Sequence, residues 1–401
     1  MKRAWLNRNI WGMTVTSFLS DASHEMVMAV LPGFLPIIHV AAAALGWIEG
    51  ASDAFSSFLK LFAGWYSDKI GHRKRMVVTG QFFTGYGLSL FAFANGWGMI
   101  LIGRMVSWFG RGLRGTLRDA MLTESVAPEF RGRAIGFHRT GDTIGAIVGP
   151  LLGLALLSRL QINAPPDTPF RTIFLLSLIP GLAAPLAFLF MVKETRRQPR
   201  PWLNFLHSLS QLPPAFRRML VAVGLFGSGD FSPALLILAA ATLLRPQYGA
   251  VRAAEIAALL YAVRNTVYAA ASYPIGWLAD RQRKAPLLAA GYLCGAATAG
   301  LAAWMFHSGS PGIPALAVTF TIAGIFAAAQ DTLEKALPPD ITDSEIRGTV
   351  YGSLGAVNGI GDFISSALVG TLWTTVSPSI AFTTAGGLML AGSLCVIFLI
   401  R

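Results

Sequence analysis

Charge is what this 401-residue chain most lacks. Asp, Glu, Lys and Arg together make up 13% of it, against about 25% in soluble globular domains. A water-facing surface on a chain of this length needs far more polar side chains. An ordinary cytosolic enzyme, a disordered regulator and a nucleic-acid binder with a large solvated face are therefore excluded. Cysteine is nearly absent too: Cys294 and Cys395 both lie in apolar runs, which removes a disulfide framework and a cysteine-based zinc site. No glycine-rich phosphate loop, nucleophile elbow or nucleotide fingerprint is found, so neither an enzyme nor a cofactor is expected. The first apolar run begins at Ile10 without a small-residue cleavage site, and no cleaved leader is expected.

What is abundant is hydrophobic sequence, 54% of the residues. A helix that crosses the hydrocarbon core takes about 20 mostly apolar residues. Apolar runs set against Gly, Pro and charge punctuation predict spans near 10–36, 44–65, 77–95, 98–120, 133–157 and 170–192. A second set follows near 218–243, 252–278, 285–306, 312–333, 347–374 and 380–400. Between them Arg196, Arg197, Pro199, Arg200, Pro201, Pro213 and Pro214 make a basic, proline-broken linker. The expected organisation is a six-helix bundle over 1–192, a cytoplasmic linker over 193–217 and a second six-helix bundle over 218–401. The net charge of +12 falls mostly on one side of this topology, on Lys69, Arg73, Lys74, Arg75, Arg131, Arg133, the linker, Arg281, Arg283, Lys284 and Arg347. The opposite loops hold Arg159, Arg171, Arg245 and Arg252. That bias places both termini in the cytoplasm and accounts for the basic charge without a nucleic-acid partner.

The halves echo one another. Gly64-Trp-Tyr-Ser-Asp68-Lys-Ile-Gly71-His-Arg73-Lys74-Arg75 follows the second span, and Gly276-Trp-Leu-Ala-Asp280-Arg-Gln-Arg283-Lys284 follows the eighth. Arg131-Gly132 opens span five as Arg347-Gly348 opens span eleven. In that register Gly136 falls on Gly352, Asp142 on Asn358 and Gly145 on Gly361. Ser20-Asp21-Ala-Ser23 likewise matches Gly229-Asp230-Phe-Ser232. Such duplication supports two bundles around a midplane site.

These residues resemble the major facilitator superfamily of secondary transporters, over essentially the whole chain. Gly64 to Lys74, with Arg75 directly after, matches the family signature G-x-x-x-D-(R/K)-x-G-(R/H)-(R/K)-(R/K) between helices two and three. The resemblance implies an all-α membrane protein of 12 transmembrane helices in two pseudo-symmetric bundles, acting as a single chain. It also implies a cytoplasmic latch formed by Gly64, Asp68, Gly71, Arg73, Lys74, Arg118, Arg131 and Asp280. A small residue at Gly64 permits close helix packing, while Asp68 is suited to cap a neighbouring helix end and to pair with Arg131 or Arg133. Gln282 stands where the family has Gly, so the second-half latch is expected to be weaker. Gly145-Ala-Ile-Val-Gly149-Pro150-Leu-Leu-Gly153 is similar to the family's antiporter motif, and implies proton-coupled efflux of the drug:proton antiporter kind. Arg104 to Gly110 loosely resembles the fourth-helix arginine motif, with Trp108 in place of its first Gly.

Ionisable residues inside spans are costly and usually functional. Asp21, Glu25, Glu49, Asp53 and Asp142 are the candidate proton-coupling acids. Arg104, Arg111, Arg114, His138, Arg139, Tyr261 and Asn358 are the candidate substrate contacts. The second half offers Asp230, Arg264, Asp331 and Asp362, so the polar machinery is expected chiefly in the first bundle. Acids on spans one and two favour a lipophilic cation, whereas the arginines, bidentate anion binders, favour an organic anion. Asp21, His24 and Glu25 share one helical turn suited to a divalent transition metal, but no Cys, second close His or Met cluster joins them. The expected partners are a small amphipathic molecule, protons and the bilayer of a bacterial-type inner membrane.

Overall fold

A computed structural model of the chain describes residues 5–35, 37–39, 42–160, 165–194, 205–309 and 312–399. It describes backbone only for 32–33, 42–51, 53–54, 205–207, 250–252, 254–255 and 399. The side chains of Glu49 and Asp53, and the linker cations Arg196, Arg197 and Arg200, lie outside the described residues.

Among the described residues there are helices and turns but no strand. The helices are α1 Arg8–Phe34, α2 Ala42–Ile70, α3 Lys74–Ser89, α4 Trp97–Glu124, α5 Arg131–Leu160, α6 Thr168–Leu176, α7 Leu178–Met191, α8 Phe205–Ser210 and α9 Pro214–Gly227. They continue as α10 Pro233–Ala279, α11 Lys284–Ser308, α12 Ile313–Ala336, α13 Pro338–Ile341, α14 Arg347–Thr375 and α15 Pro378–Leu399. Local chemistry sets the ends. The Asn7 side chain accepts from the Ile10 N–H at the start of α1, and Ser232 does the same for Ala234 ahead of Pro233 at the start of α10. The loop between α2 and α3 turns at Gly71 with φ 71°, and α11 ends at Gly309 with φ 76°.

Two expected spans depart from a single continuous helix. Span six is two helices, α6 and α7, meeting at Ser177. The backbone ladder continues through this point, with the Ser177 N–H donating to the Ile173 carbonyl at 2.9 Å and its carbonyl accepting from Gly181 at 3.0 Å. The Ser177 hydroxyl donates to the Phe174 carbonyl at 2.7 Å, and the Ser177 carbonyl also accepts from Ser23 at 2.8 Å. Span seven breaks between Gly227 and Pro233, with Asp230 in the gap, and its second part runs into span eight through a bend at Gly249, φ 74°. Among the described residues six stretches are long and apolar enough to cross a membrane: Lys74–Phe93, Pro128–Leu160, Thr168–Met191, Lys284–Ser308, Ile313–Ile341 and Pro378–Phe398. Other long helices carry several charges each, α4 alone holding Arg104, Arg111, Arg114, Arg118 and Asp119.

The chain forms two compact units, Met1–Ala127 with Thr140–Gln211 and Asp343–Gly355, and Pro128–Arg139 with Leu212–Thr342 and Ala356–Arg401. Each unit therefore includes the opening turns of one helix from the other half of the sequence. In the first unit α3 packs on α4 and α7, and α1 on α7; its apolar end is closed by Phe34 against Phe170 and Phe174, with Phe91 edge-on to Phe174. In the second unit α11 packs on α12 and α15, and α10 on α12. Its core is the Phe226–Tyr292 stack at 3.6 Å with Phe326 beside it.

Candidate functional site

The signature loop after α2 caps a helix. Asp68 is fully buried and accepts from the backbone N–H groups of Gly348 at 3.1 Å and Thr349 at 2.7 Å, and from the Thr349 hydroxyl at 3.0 Å. These are donors of the first turn of α14, which have no intrahelical partner, and a carboxylate there also meets the positive end of the helix dipole. Arg73 holds Asp68 at 2.7 Å and Glu124 at 2.6 Å, and Arg347 reaches Glu124 at 3.9 Å. Glu194 caps α3 through the N–H groups of Arg73 and Lys74, and the Lys74 ammonium donates to the Leu189 carbonyl.

The second unit repeats the device. Asp280 accepts from the N–H of Gly132 at 2.7 Å, from the N–H of Arg133 at 3.1 Å and from its guanidinium at 2.8 Å, at the start of α5. Asp340 takes Arg131 at 3.3 Å and Lys284, as Glu124 takes Arg347 and Arg73. Asp68 thus pairs with Arg73 rather than with Arg131 or Arg133, because the helix it caps is α14. Despite Gln282, Asp280 makes both capping bonds in full. Glycine permits the approach: a Cβ on Gly64 would stand 2.2 Å from the Gly348 carbonyl oxygen, and one on Gly276 2.1 Å from that of Gly132.

A second cluster joins α1, α4 and α5 in the first unit. Asp21 faces Arg111 at 3.8 Å and Arg114 at 3.9 Å, and its carboxyl lies within interacting reach of that of Asp142. Arg118 lies with this cluster and not with the loop residues: it donates to Ser17 at 2.5 Å and stands 3.9 Å from Asp142. Trp108 is approached by the guanidiniums of Arg104 at 3.8 Å and Arg111 at 4.8 Å, a favourable cation–π arrangement. Buried His24 tilts against the same ring at 5.2 Å and approaches Glu25 at 3.9 Å. The glycines of Gly145–Gly153 seat α5 on α1. Added Cβ atoms there would meet Phe18, Ala22 and Met26 in turn, so the small-residue ridge lies along the helix that carries Asp21 and Glu25.

The second unit is more polar than the sequence predicts. Glu334, 2% exposed, accepts from the Tyr292 hydroxyl and from the Asn358 amide at 2.6 Å. It lies one residue beyond the expected span 312–333 and so is not among the embedded acids the sequence predicts. Asp331 accepts from Tyr268 and pairs with Lys335 at 3.0 Å, with Arg139 near enough to interact electrostatically. Asp230 accepts from Gln330 at 2.8 Å. Tyr261 lies 5.8 Å beneath the Arg264 guanidinium, and His138 is buried on α5. The aromatics Phe226, Phe231 and Phe326 pack as core. Among the described residues no three His, Cys, Asp or Glu side chains are gathered as a metal would need.

Buried fixed charges on intramembrane helices, duplicated helix-capping loops and a polar cluster in each unit define a polytopic helical carrier. The chain belongs to the Major Facilitator Superfamily, whose family model matches residues 13–262 and 219–401; the fold is the family's twelve-helix fold in two pseudo-symmetric bundles. It is a multi-pass integral membrane protein and a transporter, and this family and fold are those of carriers rather than enzymes. It is 28% identical over 395 residues to the uncharacterised MFS-type transporter MJ1317 of Methanocaldococcus jannaschii, covering 98% of this chain and 95% of that one. Similar solved structures are the human organic anion transporter MFSD10, with TM-score 0.76, 15% identity and 97% and 99% coverage, and the E. coli fucose:proton symporter FucP, with TM-score 0.74, 17% identity and 98% coverage of both.

Proposed function

We propose that this chain is a proton-coupled antiporter that exports small amphipathic organic compounds by alternating access, as a single chain in an inner membrane with both termini cytoplasmic. The observation that carries the reading is the Asp21–Asp142 carboxyl pair, set among Arg111, Arg114 and Arg118 on helices joined by the Gly145–Gly153 ridge. Two carboxyls within such reach repel unless they share a proton. A site of this kind binds either a proton or a positively charged group of the substrate, and that competition is the basis of exchange. The arginines keep their charge throughout and hold whichever acid is ionised. The capping loops at Asp68 and Asp280 serve as latches that stabilise one access state.

The test uses proteoliposomes with an imposed pH gradient and an internal pH dye. Lipophilic cations added to wild-type protein are expected to release the gradient, and Asp142→Asn is expected to abolish that release while remaining folded. Normal compound-driven release in Asp142→Asn would refute the assignment. One observation favours a second reading, symport or exchange of an organic anion: the guanidiniums of Arg104 and Arg111 both gathered at Trp108. The fold shared with a human organic anion transporter agrees with it. Release triggered by anions alone, and lost in Arg111→Ala, would replace the first reading with this one.

A further inference from the structure

The repeat register that sets Arg131 on Arg347 can be carried backward along α4 and α12 without a gap. Glu124 then falls on Asp340, Arg118 on Glu334 and Arg114 on Gln330. The contacts of the two units follow this register. Glu124 meets Arg347 where Asp340 meets Arg131. Arg114 faces Asp21 at 3.9 Å where Gln330 donates to Asp230 at 2.8 Å. Arg118 faces Asp142 at 3.9 Å where Glu334 accepts from Asn358 at 2.6 Å. The last pair is inverted: the fixed cation is on α4 in the first half, whereas α12 carries an acid and its partner is neutral.

We infer that Glu334 is a second proton-binding site of the transporter, built where the repeat has Arg118, with Tyr292 and Asn358 as its hydrogen-bonding partners. An arginine cannot release its proton under these conditions; a carboxyl in the same place can. The surroundings accommodate both states. An ionised Glu334 accepts from the Tyr292 hydroxyl and the Asn358 amide. A protonated one keeps both bonds, because a hydroxyl both donates and accepts and Tyr292 need only turn its O–H. The groups facing this carboxyl are Tyr292 on α11, Asn358 on α14, Asp331 and Lys335 on its own helix, and Asp230 from the break before α10. Asp230 is in turn met by Gln330, Arg264 and Asp362. Tyr292 is fully buried and stacked at 3.6 Å on Phe226, which holds its phenol oxygen beside Glu334 while the O–H turns.

This inference rests on the proton-coupled reading, and the experiment separates the two. Infrared difference spectra between acidic and alkaline pH are recorded on the full chain in lipid nanodiscs, for wild type, Glu334→Gln, Glu334→Asp, Tyr292→Phe and Asn358→Ala. Glu334→Gln is expected to lose one protonated-carboxyl component, and Glu334→Asp to retain it. Tyr292→Phe and Asn358→Ala are each expected to move its midpoint by up to about tenfold in proton concentration, the margin by which a hydrogen bond to a carboxylate exceeds one to its protonated form. A Glu334→Gln spectrum identical to wild type overturns the inference. If Glu334→Gln does not fold, unmoved midpoints in both Tyr292→Phe and Asn358→Ala overturn it instead. Absence of compound-driven proton flux in wild-type proteoliposomes, with the Glu334 component present, refutes the transport reading and supports the site.

Discussion

Replacing Asp68 by Asn removes one charge at nearly constant volume from the buried cap of α14. The carboxylate accepts two backbone N–H groups and one hydroxyl and pairs with Arg73 at 2.7 Å. An Asn side chain keeps one acceptor oxygen but sets its NH2 against a donor, so at least one N–H of the first turn goes unpaired. Hydrogen bonds to charged groups contribute about 1.5–3 kcal/mol each. Loss of one to two of them gives about 3 kcal/mol, on the order of 100-fold in the population of the undocked loop. Hydrogen–deuterium exchange reads this directly. Peptides covering 346–352 are expected to exchange on the order of 100-fold faster in Asp68→Asn, while peptides over 131–135, capped by Asp280, stay near wild-type rates. Asp280→Asn is expected to give the reverse pattern. Unchanged exchange at Gly348 and Thr349 in Asp68→Asn would show that the cap contributes nothing and would remove the physical basis of the latch.

Gly64→Ala and Gly276→Ala each force a methyl to within 2.2 Å and 2.1 Å of a carbonyl oxygen. Both should lower the melting temperature by an overpacking cost of about 1–3 kcal/mol. Gly115→Ala and Gly300→Ala, with nothing within 4 Å, should not; equal losses in all four would refute the close-approach argument. Arg118→Ala leaves Asp142 beside Asp21 without one of its cations and is expected to destabilise by about 3–5 kcal/mol, the cost of breaking a buried pair from one side. Adding Asp142→Asn should recover part of that loss, with a coupling of about 0.5–3 kcal/mol. Strict additivity in a thermal-shift cycle would mean that the two side chains do not interact.

Much of the fold was legible because a bilayer restricts the answer. Segments such as Lys284–Ser308 and Ile313–Ile341 must satisfy every backbone group internally, so an apolar run of that length reads as a helix. The capping loops were legible for a related reason: Gly64, Asp68 and Gly71 fulfil demands of close approach, charge and positive φ that few other residues meet. Helix continuity was harder to read. The break at Gly227–Pro233 involves side-chain bonds to the backbone, Ser228 to Gly224 and Ser365 to Asp230, which composition does not reveal. The polar clusters were legible as residue types but not as pairs. Arg118 reads as latch from its depth along α4, yet Ser17 and Asp142 hold it. Glu334 was missed because a span boundary drawn from hydropathy stopped at residue 333, although the repeat register carried backward from Arg347 would have placed it opposite Arg118.

The sequence by itself determined that the chain crosses a membrane many times, that it is a duplication, and which side chains are too polar to lie in lipid without a purpose. These properties follow from composition and spacing, which are local. Tertiary structure alone decided the partners. Asp68 caps a helix whose first donors lie 280 residues away. Asp21 meets Asp142 and the α4 arginines, and Glu334 meets Tyr292 and Asn358. A hydrogen bond acts over about 3 Å, and distance along the chain says nothing of which donor the fold brings within that reach.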